Sequence, residues 1–190
     1  MRQNPARRAA LLDAAIEVLA RDGSRGLTLR AVDKEAGVPT GTASNYFSNR
    51  DELLTQAGTR VYERLLPTDT TIEQQMAGRQ DQAKFIELMH ETVGRVSAFR
   101  AGFLAMLELR LESTRRPELR ALLTKRIRTD MDENIARHEA SALPGDATSV
   151  QLLQLALNWL ILEQLTLPDL LTGAERDKLI DEAVRRVTSG

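Results

Sequence analysis

The chain has 190 residues, 42% of them hydrophobic, with no cysteine and a formal net charge of −1. That length and apolar content suffice for one or two small domains with a buried core, while the absence of cysteine excludes a disulfide framework, thiolate catalysis and a cysteine-ligated metal. Charge is unevenly spread: residues 1–50 hold eight Lys/Arg against five Asp/Glu, a net of +3, and residues 51–190 hold eighteen against twenty-two, a net of −4, the pattern of a basic head on an acidic body.

Helical spacing recurs from end to end and alternating strand patterns are nearly absent, which predicts an all-α protein. Asn4 and Pro5 make a cap and first-turn pair for a helix to about Asp22, with Leu12, Ile16 and Leu19 on its buried face. Gly23 stands at its end, and Arg2, Arg7 and Arg8 cluster at its start. Thr28 caps a second helix to about Ala36, Gly37 supplies the positive φ that ends it, and Pro39 suits the first turn of a third helix over about 39–46. Asn49 caps a fourth, with Glu52 completing a capping box, Leu53, Leu54, Val61, Leu65 and Leu66 on its apolar side and Pro67 as its stop. Pro67 to Gly78 is polar and reads as a connector. The body then offers helices near 80–96, 99–113, 117–141, 147–166 and 173–188. No apolar run reaches the ~18 residues of a membrane span and the N-terminus lacks the apolar stretch of a signal peptide, so a cytoplasmic protein is expected.

Two short helices, a tight turn and a third helix start within Gly26 to Leu54 follow helix-turn-helix spacing, and DNA is the partner they imply. The set Leu27-Thr-Leu-Arg-Ala-Val, Ala36-Gly-Val, Gly41, Tyr46-Phe47 and Asp51-Glu-Leu-Leu54 resembles the tetracycline-repressor (TetR) family of one-component transcription regulators. The resemblance spans mainly residues 9–54, the remainder agreeing in length, helical character and helix order. It implies a DNA-binding head over 1–50 and a helical ligand-binding and dimerisation domain over 51–190, with a connecting helix at 51–66. It assigns base-facing roles to Thr40, Thr42, Ser44 and Asn45 and phosphate roles to Thr28, Arg30, Tyr46 and Arg50, with Gly41 letting a helix backbone approach the duplex. The chemistry agrees: hydroxyls bond to base edges, threonine methyls pack on thymine methyls, and an asparagine amide pairs two-pronged with adenine. No lysine or arginine lies between Lys34 and Arg50. The reading element therefore lacks the commonest guanine contact, and specificity is expected to lean on thymine methyls, adenine edges and DNA shape. A compact three-helix scaffold for protein contacts is the alternative reading.

In the body, Val150 to Leu167 is apolar around most of its circumference, with Gln151, Gln154 and Asn158 as a polar stripe, so it requires cover on two sides. The resemblance implies a homodimer through the last two helices, the final one using Leu179, Ile180, Ala183 and Val187, and hence a palindromic operator in double-stranded DNA. Arg110 and Glu163 are charges expected among apolar neighbours. Either they pair structurally, or they orient a small-molecule inducer in a cavity built from Phe85, Met89, Phe103, Met106 and Trp159. His90 lies at the edge of an apolar face and His138 in a charged stretch, neither with a second ligand at metal spacing. No nucleophile and base pattern and no phosphate-cradling glycine loop is present, so no metal, cofactor or catalytic residue is expected. The expected function is a homodimeric, ligand-responsive transcriptional repressor. A DNA-binding protein without an inducer and a helical interaction module are the alternatives.

Overall fold

Every regular element in the computed structural model, which describes residues 4–189 apart from the side chains of Asp69 and Met76, is helical. Arg2 of the basic cluster therefore lies outside the described residues. Helix α1 (Pro5–Gly26) starts where the Asn4 side chain accepts the N–H groups of Ala6 and Arg7, at 3.0 and 3.3 Å, and it breaks at Gly23, where φ is +69°. Leu11, fully buried, faces the core where Leu12 was expected, and Leu12 is half-buried. Helix α2 (Leu29–Glu35) is capped by Thr28, which accepts the Ala31 N–H at 3.0 Å, and is closed by Gly37 at φ +64°. Helix α3 (Arg50–Leu65) begins on Asn49, whose side chain accepts the Glu52 N–H at 2.9 Å. The return half of the expected capping box is displaced by one residue. The Glu52 carboxylate accepts the N–H and hydroxyl of Ser48, at 2.7 and 2.6 Å, and these bonds hold its pKa below the usual value.

The stretch expected to be a mere connector contains a short helix, α4 (Asp69–Met76), started by Thr68 accepting the Thr71 N–H at 3.2 Å. Then follow α5 (Gln82–Ala98), α6 (Arg100–Ser113), α7 (Pro117–Glu139), α8 (Ala147–Thr166) and α9 (Gly173–Val187). The last two open with complete capping boxes, Asp146 with Ser149 and Thr172 with Glu175. No helix among the described residues is long and apolar enough to cross a membrane.

The chain forms two compact units. The first comprises Met1–Leu66 and Phe99–Lys125. In it α6 packs against α1 and α3, and Leu11, Ile16, Leu19, Leu27, Val32, Phe47, Leu53, Leu54, Phe103 and Leu109 are essentially inaccessible to water. The second comprises Pro67–Ala98 and Arg126–Gly190, with Phe85 of α5, Leu153 of α8 and Val184 of α9 at its centre and Ile86, Met89, Leu143, Ala183 and Val187 packed around them. His138, although it stands in a charged stretch, is buried in this unit, its ring 5.1 Å from that of Phe85 and its Nε2 without a hydrogen-bond partner. Burial follows from position: α7 ends against the Phe85 cluster, and the ring takes the place of an apolar side chain. His90 joins α5 to α9, its Nε2 lying 2.8 Å from Asp181 Oδ1, and this contact lowers the Asp181 pKa.

Candidate nucleic-acid interface

Between α2 and α3 the chain forms a turn over 40–42 and then a 3-10 helix at Ala43–Asn45, in place of the α-helix expected over 39–46. Three causes combine. Pro39 has no N–H to give. Gly41 takes φ +93°, which an α-helix excludes. Asp33, only 2% exposed, accepts the Gly41 N–H at 2.7 Å on one carboxylate oxygen and the Ala43 N–H at 2.6 Å on the other. Three further bonds reach back three residues, Thr42 N–H to Pro39 at 3.1 Å, Asn45 N–H to Thr42 at 3.0 Å and Tyr46 N–H to Ala43 at 2.9 Å, and then the Phe47 N–H reaches back four, to Ala43 at 2.9 Å. Gly41 is thus needed for its left-handed backbone, which corrects its expected place within a helix. Two hydroxyls tighten the turn further, Thr42 donating to the Pro39 carbonyl at 2.6 Å and Ser44 to the Gly41 carbonyl at 2.7 Å.

Ala43 and Phe47 are buried beneath this turn, Thr42 is half-buried, and Thr40, Gly41, Ser44 and Asn45 are exposed. Of the four base-facing candidates, three are thus exposed and Thr42 is half-buried. Thr28 and Arg30 are exposed at the start of α2, and Tyr46 is half-buried with its carbonyl accepting from Arg8 Nη1 at 3.1 Å. The Arg8 guanidinium also lies 5.0 Å above the Phe47 ring and donates to Gln56 Oε1 at 2.9 Å. Arg50 departs from its expected part. Its guanidinium donates to the carbonyls of Leu27, at 3.0 Å from Nε, and of Ser24, so it closes the end of α1 rather than projecting freely toward a phosphate.

Ser24 is a junction. Its N–H donates to Glu108 Oε2 at 2.9 Å and its hydroxyl to Glu112 Oε1 at 2.9 Å, while its carbonyl accepts from Arg50. Glu112 also receives Arg116 Nε at 2.9 Å and Arg115 Nη2 at 2.7 Å, and Arg116 reaches on to Asp51. Chiefly through Arg116 and then Arg115, the Glu112 pKa is pulled down to about 2. Asp33, Ser24 and Glu112 carry this architecture although no local pattern in the sequence marks them.

The residues expected to line an inducer cavity are divided. Phe103 and Met106 are core residues of the first unit, whereas Phe85 belongs to the core of the second and Met89 packs against it. Arg110, expected among apolar groups, is exposed: Phe103, Met106 and Leu109 set the inward face of α6, and Arg110 lies one residue, about 100°, beyond it. Trp159, expected in the cavity, is 63% exposed. Leu153, Leu157, Leu160, Ile161 and Leu165 take the inward side of α8, so Trp159 falls outside with Leu152 and Leu155, 50% and 66% exposed. Glu163 is half-buried. Of the predicted polar stripe, Gln151 and Asn158 are exposed, but Gln154 turns inward and its Oε1 is buried without a partner. In the same unit Asp130 sits 3.1 Å from Arg126, and burial raises its pKa despite that neighbour.

Residues 80–190, more than half of the chain, match the family model of the tetracyclin repressor-like C-terminal domain. The chain belongs to the TetR family. Residues 11–57, which contain α2 and the turn over 40–45, match the model of bacterial regulatory proteins of the tetR family. Membership makes the head a DNA-binding helix-turn-helix and the protein a regulator of transcription. The chain is 34% identical over 94 residues to an HTH-type transcriptional regulator in the dhlA 5′ region of Xanthobacter autotrophicus, an alignment covering 50% of this chain and 46% of that relative. The match thus spans about half the length of this curated relative. A TetR-family transcriptional regulator from Mesorhizobium loti has a similar structure, with a TM-score of 0.77 at 12% identity over 98% of each chain. The transcriptional regulator FadR from Bacillus subtilis, solved in complex with stearoyl-CoA, gives a TM-score of 0.70 at 16% identity over 96% of this chain and 98% of its own. These two likenesses carry the TetR fold.

Proposed function

We propose that this TetR-family protein is a homodimeric repressor that works in the cytoplasm, holds a palindromic operator and releases it when a small molecule binds. The observation that carries the reading is the outer stripe of α8, where Leu152, Leu155 and Trp159 are half to two-thirds exposed on a helix whose opposite side is buried. Contiguous apolar surface of this kind marks an association site. A second copy suits it, because a twofold pair presents two reading turns about one DNA turn, ~34 Å, apart. Thr40, Thr42, Ser44 and Asn45 then face bases, with Thr28, Arg30 and Tyr46 on phosphates and Arg50 holding the head together.

Responsiveness to a ligand is supported by polar atoms in the second unit that lack partners, His138 Nε2 and Gln154 Oε1. Such atoms are costly to leave unsatisfied, and an inducer offering complementary groups would satisfy them. The complex of FadR with stearoyl-CoA adds support, since that protein shares this fold and holds a small molecule. A ligand that favours the arrangement unable to bind DNA weakens operator binding by the same factor by which DNA weakens ligand binding. Light scattering on the full-length protein, followed by selection of binding sites from random duplexes, tests the reading. A dimer mass and a twofold-symmetric site are expected, with affinity falling as salt rises. A monomer at micromolar concentration, or a selected site without symmetry, overturns it.

A further inference from the structure

Two hydroxyls of the turn spend their protons within it. In the bonds from Thr42 to the Pro39 carbonyl, 2.6 Å, and from Ser44 to the Gly41 carbonyl, 2.7 Å, the partner oxygen can only accept. Both hydroxyl protons are therefore committed, and each hydroxyl has only lone pairs left to offer. Four backbone N–H groups are likewise taken: those of Gly41 and Ala43 lie on Asp33, and those of Thr42 and Asn45 lie on the carbonyls of Pro39 and Thr42. No lysine or arginine stands between Lys34 and Arg50 to add a cationic donor.

We propose that Thr42 and Ser44 read the duplex as hydrogen-bond acceptors, selecting the exocyclic amino group of adenine or cytosine at the positions they face. In the major groove adenine N6 and cytosine N4 present donors, whereas guanine O6 and N7 and thymine O4 present acceptors. A lone pair brought against a second acceptor gains nothing and loses its water, so bases offering only acceptors are rejected at these positions. Turning either hydroxyl around to donate to guanine requires breaking a short bond inside the turn. The inference rests on the reading that this turn faces bases.

The test uses a duplex selected by the full-length protein from a random pool, resynthesised one base at a time. N6-methyladenine and N4-methylcytosine keep the base pair but replace the amino proton in the major groove with a methyl group, while 7-deazaguanine keeps the pair but lacks the N7 acceptor. Methylation at a position faced by Thr42 or Ser44 is expected to weaken binding about tenfold. Thr42→Val or Ser44→Ala should reduce that penalty to about twofold, and Thr42→Ser, which keeps the hydroxyl, should preserve it. Thermal melts of each variant establish that the turn still folds. The proposal is overturned if methylation of every adenine and cytosine is harmless, or if 7-deazaguanine weakens binding and the same substitutions relieve that loss. A pool yielding no enriched sequence instead defeats the underlying assignment of the turn to bases, and the inference with it.

Discussion

Replacing Asp33 asks whether one buried carboxylate shapes the turn over 40–45. Its oxygens hold the N–H groups of Gly41 at 2.7 Å and Ala43 at 2.6 Å, and Asp33→Ala removes both acceptors. Gly41 is exposed, so its N–H turns to water at a cost of about 1 kcal/mol. Ala43 is fully buried, and leaving its N–H without an acceptor costs about 1–3 kcal/mol more. The expected loss is about 3 kcal/mol, which for a chain of this length lowers the melting midpoint by about 6–12 °C. Asp33→Asn separates charge from shape. The amide keeps one acceptor but sets its own donor against the second N–H, so about 2 kcal/mol is still lost. Circular dichroism melts measure the stability, and affinity for the selected duplex is followed in parallel. An Asp33→Ala protein that loses less than about 1 kcal/mol and binds the duplex as the native protein does would mean that the 3-10 bonds alone hold the turn and that Asp33 is dispensable.

Glu112 gives a dependence on pH. With its pKa at about 2 in the folded protein and near 4.5 when unfolded, it stabilises fully above pH 4.5 and progressively less as pH falls toward 2. About 2 kcal/mol should disappear over that window, allowing for the solvent-exposed Arg115 partner, and Glu112→Gln should flatten the denaturation profile there. His138→Phe should leave stability unchanged or raise it by about 1 kcal/mol in urea denaturation, because the imidazole nitrogen it removes has no partner; a large loss would contradict that geometry. Leu155→Glu, on the outer stripe of α8, should convert a dimer to a monomer in light scattering with helicity unchanged, and an undiminished dimer would place the interface elsewhere.

Caps and breakers were legible in the sequence because they act within a few residues: Asn4, Thr28, Gly37 and Asn49 do what their types and spacing predict. The all-α class follows from periodicity for the same reason. The turn over 40–45 was not legible in its true form, since Pro39 and Gly41 also suit the start of a short α-helix and the deciding bonds come from Asp33, eight and ten residues upstream. Helix α4 carries too few apolar residues to show a period, and only Thr68 announces it. In α8 the difficulty is the opposite. Apolar residues on both sides of the helix do not tell which side is inside, so Trp159 read as cavity lining although Leu153 and Leu157 hold the inward face. The bond between Ser24 and Glu112 joins residues 88 positions apart, beyond the reach of any local pattern.

The first unit is stitched from two stretches that are remote along the chain, and this limits how the protein can be dissected. Phe103, Ala105 and Leu109 roof the apolar underside of α1 and α3. A fragment ending at Leu66 would leave that underside bare and short of the anchors that Glu108 and Glu112 supply at Ser24. Grafting this helix-turn-helix onto another scaffold therefore means carrying residues 99–125 along as its keel.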